Sequence, residues 1–146
     1  MTAPFYDKVG VIGAGTMGNG IAQVFASCGS QVLMIDSQKE ALERGRAAIE
    51  KSLARVVKKE KISAEEAEAT LRRLSTAEDL DALSDQALVV EAVVERMDVK
   101  ARVFSRLDEI TADDTILATN TSSISITEIA ATTQRADRVI GMHFMN

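Results

Sequence analysis

The sequence predicts an α/β fold of the Rossmann type, a mostly parallel sheet with helices on its faces. Three observations predict it. Apolar, strand-like runs alternate with segments of helical periodicity, the pattern of successive βαβ units. The first apolar run feeds directly into Gly13-Ala14-Gly15-Thr16-Met17-Gly18, a G-x-G-x-x-G turn followed by an apolar helical face. The second apolar run closes on an acid, Asp36, where a dinucleotide fold places the group that grips a ribose.

Each element can be justified in turn. Lys8 to Ile12 reads as the first strand. Met17, Ile21, Val24, Phe25 and Cys28 recur at helical spacing, predicting a helix from Thr16 to Ser27, with Cys28 packed inertly on its apolar face. Gly29 is placed to end it. Gln31 to Ile35 is a continuous apolar strand. Leu42, Ile49, Leu53 and Val56 then form one stripe, with Lys51, Arg55, Lys58 and Lys59 on a neighbouring flank. Ser63-Ala64-Glu65-Glu66 has the form of a capping box opening a further helix to about Arg73. Together these helices, over about 38–73, exceed what a minimal crossover needs, and they read as a helical hairpin inserted between strands. Leu74 to Ala77 is a short strand and Ala87 to Ala92 a buried one. Val99, Val103, Phe104, Leu107 and Ile110 mark an amphipathic helix. Thr115 to Thr119 is a strand, Ile126 to Ala131 a short helix, and Val139 to His143 a final strand. No repeat, low-complexity tract or linker interrupts the series, so residues 1–146 are expected to form one domain.

Composition narrows the class. A chain of 146 residues that is 46% hydrophobic has material for a core. No apolar run approaches membrane-spanning length. The first residues carry neither a basic stretch nor a long apolar one, so no leader is expected. A single cysteine cannot form an internal disulfide, which fits a reducing, cytoplasmic compartment. The net charge of −5 opposes a general nucleic-acid binder, and four Phe with one Tyr give little material for base stacking.

The glycine turn carries the first chemistry. Gly13 permits the tight turn after the strand, Gly15 lets backbone approach a pyrophosphate, and Gly18 lets the helix pack closely on the sheet. The helix N-terminus at Thr16 and Met17 offers unpaired N–H groups and a partial positive charge to phosphates. Asp36 can accept hydrogen bonds from ribose hydroxyls and would repel a 2′-phosphate. Ser37, Gln38 and Lys39 follow it without an arginine, so NAD is favoured over NADP, with Lys39 the one residue that argues the other way. The plain structural alternative is that these glycines only turn the chain. A methyltransferase, with its related glycine-rich loop and acid, is the minor competitor.

A second group gathers where open α/β sheets bind ligands, at the C-terminal strand edge. Asn120-Thr121-Ser122-Ser123 follows one predicted strand, and His143 and Asn146 lie at the end of another. The chain's one histidine, placed there, is a candidate acid/base. Elsewhere in a sequence a lone histidine is more often a satisfied structural residue.

Four segments then carry a family resemblance: Val11-Ile12-Gly13-Ala14-Gly15-Thr16-Met17-Gly18, Val89-Val90-Glu91-Ala92-Val93-Val94-Glu95, Ala118-Thr119-Asn120-Thr121-Ser122-Ser123 and Gly141-Met142-His143-Phe144-Met145-Asn146. In order and spacing they resemble the N-terminal NAD-binding domain of the 3-hydroxyacyl-CoA dehydrogenases, including the 3-hydroxybutyryl-CoA enzymes. The resemblance implies that Asp36 binds the adenosine ribose and that Glu95, Lys100 and backbone near Ala92 line the nicotinamide side. It places Asn120 and Ser122 beside the nicotinamide and the reacting end of the substrate. It makes His143 the catalytic acid/base, Asn146 a cofactor or substrate contact, and Ser52 and Lys59 contacts to coenzyme A. The implied reaction is reversible hydride transfer between NAD and C3 of a 3-hydroxyacyl-CoA, giving the 3-ketoacyl-CoA, as in fatty-acid or butanoate metabolism. Ser122 would hydrogen-bond the substrate oxygen.

Family members continue with a proline-containing segment, a glutamate that pairs with the histidine, and a helical domain that closes the site and forms a homodimer. This sequence stops at Asn146, so it is expected to bind NAD(H) but to turn over substrate poorly. Blander readings stand beside these roles. Glu95 and Lys100 would by default be solvated helix-start charges, Asn120 and Ser122 a local turn or cap, and the basic flank a solvated face. The alternative functions are a non-catalytic dinucleotide-binding or sensor module and a related dehydrogenase of free 3-hydroxyacids.

Overall fold

A computed structural model describes residues 3–145. Strand β1 (Lys8–Ile12) leads through the glycine turn into helix α1 (Thr16–Ser27), and β2 (Gln31–Ile35) follows. Helices α2 (Lys39–Lys58) and α3 (Ala64–Arg72) precede β3 (Leu74–Ala77). A short 3₁₀ turn over Leu80–Leu83 leads to β4 (Leu88–Glu91) and helix α4 (Met97–Ile110). Then come β5 (Ile116–Thr119), α5 (Ile126–Ala130), a 3₁₀ turn over Ala136–Arg138, and β6 (Val139–Gly141). All six strands are parallel, in the order β3-β2-β1-β4-β5-β6. This is the doubly wound order, whose direction of winding reverses between β1 and β4.

Burial on both faces explains the unbroken apolar strands. One layer packs Val9, Val11, Val32, Met34 and Val90 against Ile21, Ala22 and Ala26 of α1 and Ile49 and Leu53 of α2. The other packs Ile12, Ile35, Val89 and Leu117 against Phe104 and Leu107 of α4 and Ile129 of α5. The predicted hairpin consists of α2 and α3, which pack on each other and both on α1. The Ser63 box is formed: its hydroxyl accepts from the Glu66 N–H while Glu66 accepts from the Ser63 N–H.

Three expectations change. The buried face of α1 is Gly18, Ile21, Ala22 and Ala26, while Val24 is 48% exposed. Close helix–sheet packing selects small residues, and a reading weighted by large apolar side chains rotates the face. Cys28 is exposed at the helix C-cap, not packed. The last strand ends at Gly141 rather than His143. Met142 still donates its N–H to the Thr119 carbonyl at 2.8 Å, but beyond it the strand ladder gives way to bonds from Asn120.

Candidate active site

The register brings the site together. Ala77, Ile35, Ile12, Glu91, Thr119 and Gly141 are paired in one row across all six strands. The residues just beyond that row therefore emerge along one edge, and they include Gly13, Asp36, Ala92 and Asn120.

At the centre is the glycine turn. Gly13 holds φ +101°, and a Cβ there would stand 2.5 Å from the Ala92 carbonyl oxygen. Its N–H donates to the Ile35 carbonyl at 2.7 Å, drawing the turn over β2. A Cβ at Gly15 would face open space, with nothing inside 4 Å. Helix α1 has no side-chain cap and no acid in its first turn, so its leading amides are available to an anion. Turn, open approach and uncapped amides together fit a pyrophosphate.

Asp36 is bound at both oxygens. Oδ2 accepts the Ala14 N–H and Oδ1 the Gln38 N–H, each at 3.0 Å. These bonds hold the carboxylate at the turn and leave further acceptor capacity on both oxygens. Beside it lies a cleft of about 230 Å³ whose walls include Ile12, Ile35, Leu80, Val93 and Val99, with Asp36 and Glu78 as its charged groups. Lys39 lines an adjoining depression with Arg46 and Asp79, which shares Glu78 with this cleft.

Across the turn is a second cleft of about 370 Å³, lined by Met17, Ala92, Glu95, Lys100, Asn120, Ser122 and His143 among others. Residues 8–146 match the family model described as "3-hydroxyacyl-CoA dehydrogenase, NAD binding domain". The chain belongs to that family.

The chain is 49% identical over 140 residues to a 3-hydroxybutyryl-CoA dehydrogenase of Clostridioides difficile, covering 95% of this chain and 50% of that one. It is 44% identical over 144 residues to a mitochondrial hydroxyacyl-coenzyme A dehydrogenase of Sus scrofa, covering 94% and 46%. The crystal structure of a 3-hydroxybutyryl-CoA dehydrogenase from Escherichia coli K12 superposes with a TM-score of 0.94 at 48% identity, covering 97% of this chain and 30% of that one. The chain thus spans about half the length, or less, of these relatives.

Within this NAD-binding domain the expected site residues fall into two groups. Gly13, Gly15, Thr16, Gly18 and Asp36 form or flank the turn, and the seven named above line the second cleft. Ser52 and Lys59 line neither cleft. The Ser52 hydroxyl accepts from the Gln23 side-chain amide at 3.1 Å, tying α2 to α1, and Lys59 is exposed at the C-cap of α2. Asn146 lies outside the described residues.

Lys100 is not a solvated helix-start charge. It is 1% exposed, and its ammonium meets Glu91 at 2.5 Å and Glu95 at 3.1 Å. Glu91, the group that sequence reasoning passed over, is fully buried. It accepts from Lys100, from the Val93 N–H at 2.8 Å and from the Thr119 hydroxyl at 2.7 Å. A carboxylate inside an otherwise apolar strand, with a lysine nine residues on, was the available signal, because buried charges require partners. Glu95 accepts from the Thr121 and Ser123 hydroxyls at 2.7 and 2.9 Å, clasping the loop after β4 to the loop after β5.

Glu95 carries a pH prediction. Burial pushes its carboxyl up, but hydrogen bonds from Thr121, Lys100 and Ser123 outweigh this and hold it down at about 2, from an ordinary value of 4.5. A pKa lowered on folding contributes stability in full above the unfolded value, and the contribution fades as pH falls from 4.5 through about 2. Thermal melts of wild type and Glu95→Gln should therefore differ most above pH 4.5 and converge towards pH 2. A gap that does not narrow across that range would contradict the clasp.

Proposed function

We propose that this chain is the NAD(H)-binding part of a dehydrogenase acting on a 3-hydroxyacyl-CoA, with 3-hydroxybutyryl-CoA the first substrate to test. The observation that carries the reading is the placement of His143, Ser122 and Asn120 on one cleft wall beside an uncapped glycine turn. Family membership and the names of the relatives support it.

NAD, when bound, supplies the hydride acceptor. The remaining chemistry belongs to residues of this chain. The amides of Thr16 and Met17 and the carboxylate of Asp36 hold the cofactor. His143 takes the proton of the C3 hydroxyl in oxidation and returns it in reduction, a task suited to imidazole, whose unperturbed pKa of about 6.5 makes both states accessible near neutrality. Ser122, exposed at the cleft, hydrogen-bonds the substrate oxygen. Glu95 and Lys100 hold the nicotinamide-side wall, with Asn146 proposed as a further contact. Ser52 and Lys59 are proposed to meet coenzyme A, which for Ser52 requires exchange of its Gln23 bond.

The compartment proposed is the cytoplasm. Among the described residues no helix is long and apolar enough to cross a membrane. In an enzyme of the relatives' length, the remaining half is proposed to close the cleft and to pair two subunits.

The direct test is a fluorescence titration with NADH and NADPH. Saturable NADH binding, with NADPH weaker, is expected. Asp36→Ala should weaken NADH by roughly ten- to a hundredfold, the weight of charge-assisted hydrogen bonds. Absence of NADH binding, or equal affinity for the two nucleotides, would refute the assignment. In a chain extended to the relatives' length, His143→Ala should lower kcat by roughly 10²–10⁴-fold with NADH affinity unchanged. Acetoacetyl-CoA should be reduced in preference to free acetoacetate.

A further inference from the structure

The sheet itself places Glu78 beside Asp36. Ile35 and Ala77 are the last paired residues of β2 and β3, and the Asp36 N–H still reaches the Ala77 carbonyl at 3.4 Å. Asp36 and Glu78 are thus the first residues beyond two neighbouring strand ends, and neighbouring strands run about 4.8 Å apart. Both line the cleft of about 230 Å³. Their duties differ. The Asp36 carboxylate is tied to two backbone amides of the turn region. Glu78 is exposed, and among the described residues its carboxylate has no hydrogen-bond or ion-pair partner.

Glu78 also lines two adjoining depressions. One carries Lys39, Glu43, Arg46 and Asp79, the other Asp79, Asp81 and Arg106. The residue common to all three hollows stands between the cleft and the cations around it. Two of those cations are already engaged. Arg46 holds the Leu74 carbonyl at 3.2 Å and Glu50 at 3.4 Å. Arg106 holds Asp81 at 2.7 Å and Glu109 at 2.8 Å. Lys39, exposed at the first position of α2, is the remaining one. Three carboxylates share its depression, Glu43, Glu78 and Asp79, and of these Glu78 alone also lines the Asp36 cleft.

We propose that Glu78 is a cofactor-specificity residue, a second carboxylate that excludes a 2′-phosphate by repelling it and by offsetting the charge of Lys39. The inference rests on the dinucleotide reading and on Asp36 as the ribose acceptor, and it divides the work between the two acids. Asp36 binds the sugar and discriminates. Glu78 holds nothing and only discriminates. Replacing Glu78 therefore changes the choice of nucleotide without the loss of NADH affinity expected of Asp36→Ala.

The test is a pair of titrations, NADH and NADPH, on the 146-residue chain at low salt. The variants are Glu78→Gln, Glu78→Lys and, as a control, Glu43→Gln, which removes an exposed acid from the Lys39 depression but not from the cleft. In Glu78→Gln the ratio of NADPH to NADH affinity should rise roughly fivefold, the weight of one unit charge about 7 Å from a doubly charged phosphate in water. In Glu78→Lys, a change of two charges, it should rise roughly twenty-five-fold. Both gains should shrink as salt is raised towards about 0.5 M, because the charges meet across solvent. Glu43→Gln should leave the ratio within about twofold of wild type, its charge being screened by solvent and farther from the sugar.

An unchanged ratio in both Glu78 variants, with NADH still bound, overturns the proposal and leaves the dinucleotide reading standing. So does a shift in Glu43→Gln as large as that in Glu78→Gln, which would make the effect one of overall charge. A wild type that binds neither nucleotide rejects the dinucleotide reading and this inference together.

Discussion

Gly18→Ala is expected to destabilise the protein and abolish tight NADH binding, while Gly20→Ala, two residues along the same helix, stabilises it. Both glycines lie in α1, where intrinsic propensity favours alanine by about 1 kcal/mol. Propensity alone therefore gives both substitutions the same sign. Space separates them. A Cβ at Gly18 would stand 1.7 Å from the Gly13 carbonyl oxygen and 2.6 Å from its carbonyl carbon, whereas at Gly20 it would meet nothing within 4 Å. The obstacle is backbone, and that backbone is the phosphate turn itself, so relief requires the helix to move away from it. Overpacking of this kind costs about 1–3 kcal/mol and occasionally more, or about 2–4 °C in Tm per kcal/mol for a chain near this size. The leading amides of α1 would move with the helix, so NADH affinity should fall more than stability alone explains. Paired thermal melts and NADH titrations check it. Equal stabilisation by alanine at both positions would mean that the helix is not seated on the turn.

That close contact also shows what a sequence can and cannot disclose. The tight turn at Gly13 and the close packing at Gly18 were legible because their geometry is local: a strand end, a turn and a helix start lie within one βαβ unit. The strands were legible because burial on both faces leaves continuous apolar runs. The 3₁₀ turns at Leu80–Leu83 and Ala136–Arg138 went unread because three or four residues are too few to show a period. The buried face of α1 was misjudged because Ala22 and Ala26 face the sheet by virtue of being small. Arg135 shows the strongest limit. It is 7% exposed, with its guanidinium bound to the Asp108 carboxylate and to the Thr111 and Ala112 carbonyls. Those partners lie more than twenty residues away, and no local pattern announces them.

Breaking the Lys100–Glu91 pair should have the other large effect. Both side chains are at most 1% exposed and in direct contact, so removing Lys100 leaves the buried Glu91 carboxylate without a cation, and removing Glu91 leaves the buried ammonium with the partly exposed Glu95 as its one carboxylate. Lys100→Met and Glu91→Leu are each expected to cost about 3–5 kcal/mol. The double variant should cost clearly less than their sum, because no unpaired charge remains between these two positions. It will not return to wild type, since the Thr119 hydroxyl and the Val93 N–H lose their acceptor, at about 1–3 kcal/mol for each group left unsatisfied. Chemical denaturation of the three variants gives the coupling energy directly. Additive costs would show that the two charges do not stabilise each other in the folded protein. The consequences reach the cleft because Glu91 is the last residue of β4, with Ala92 and Val93 directly after it, and because its carbonyl anchors Asn120. At temperatures where Lys100→Met is still folded, its NADH affinity should already be reduced. The ion pair spans β4 and α4, the two elements that frame the wall where the cofactor is proposed to sit, and loosening it lets that wall move before the sheet melts.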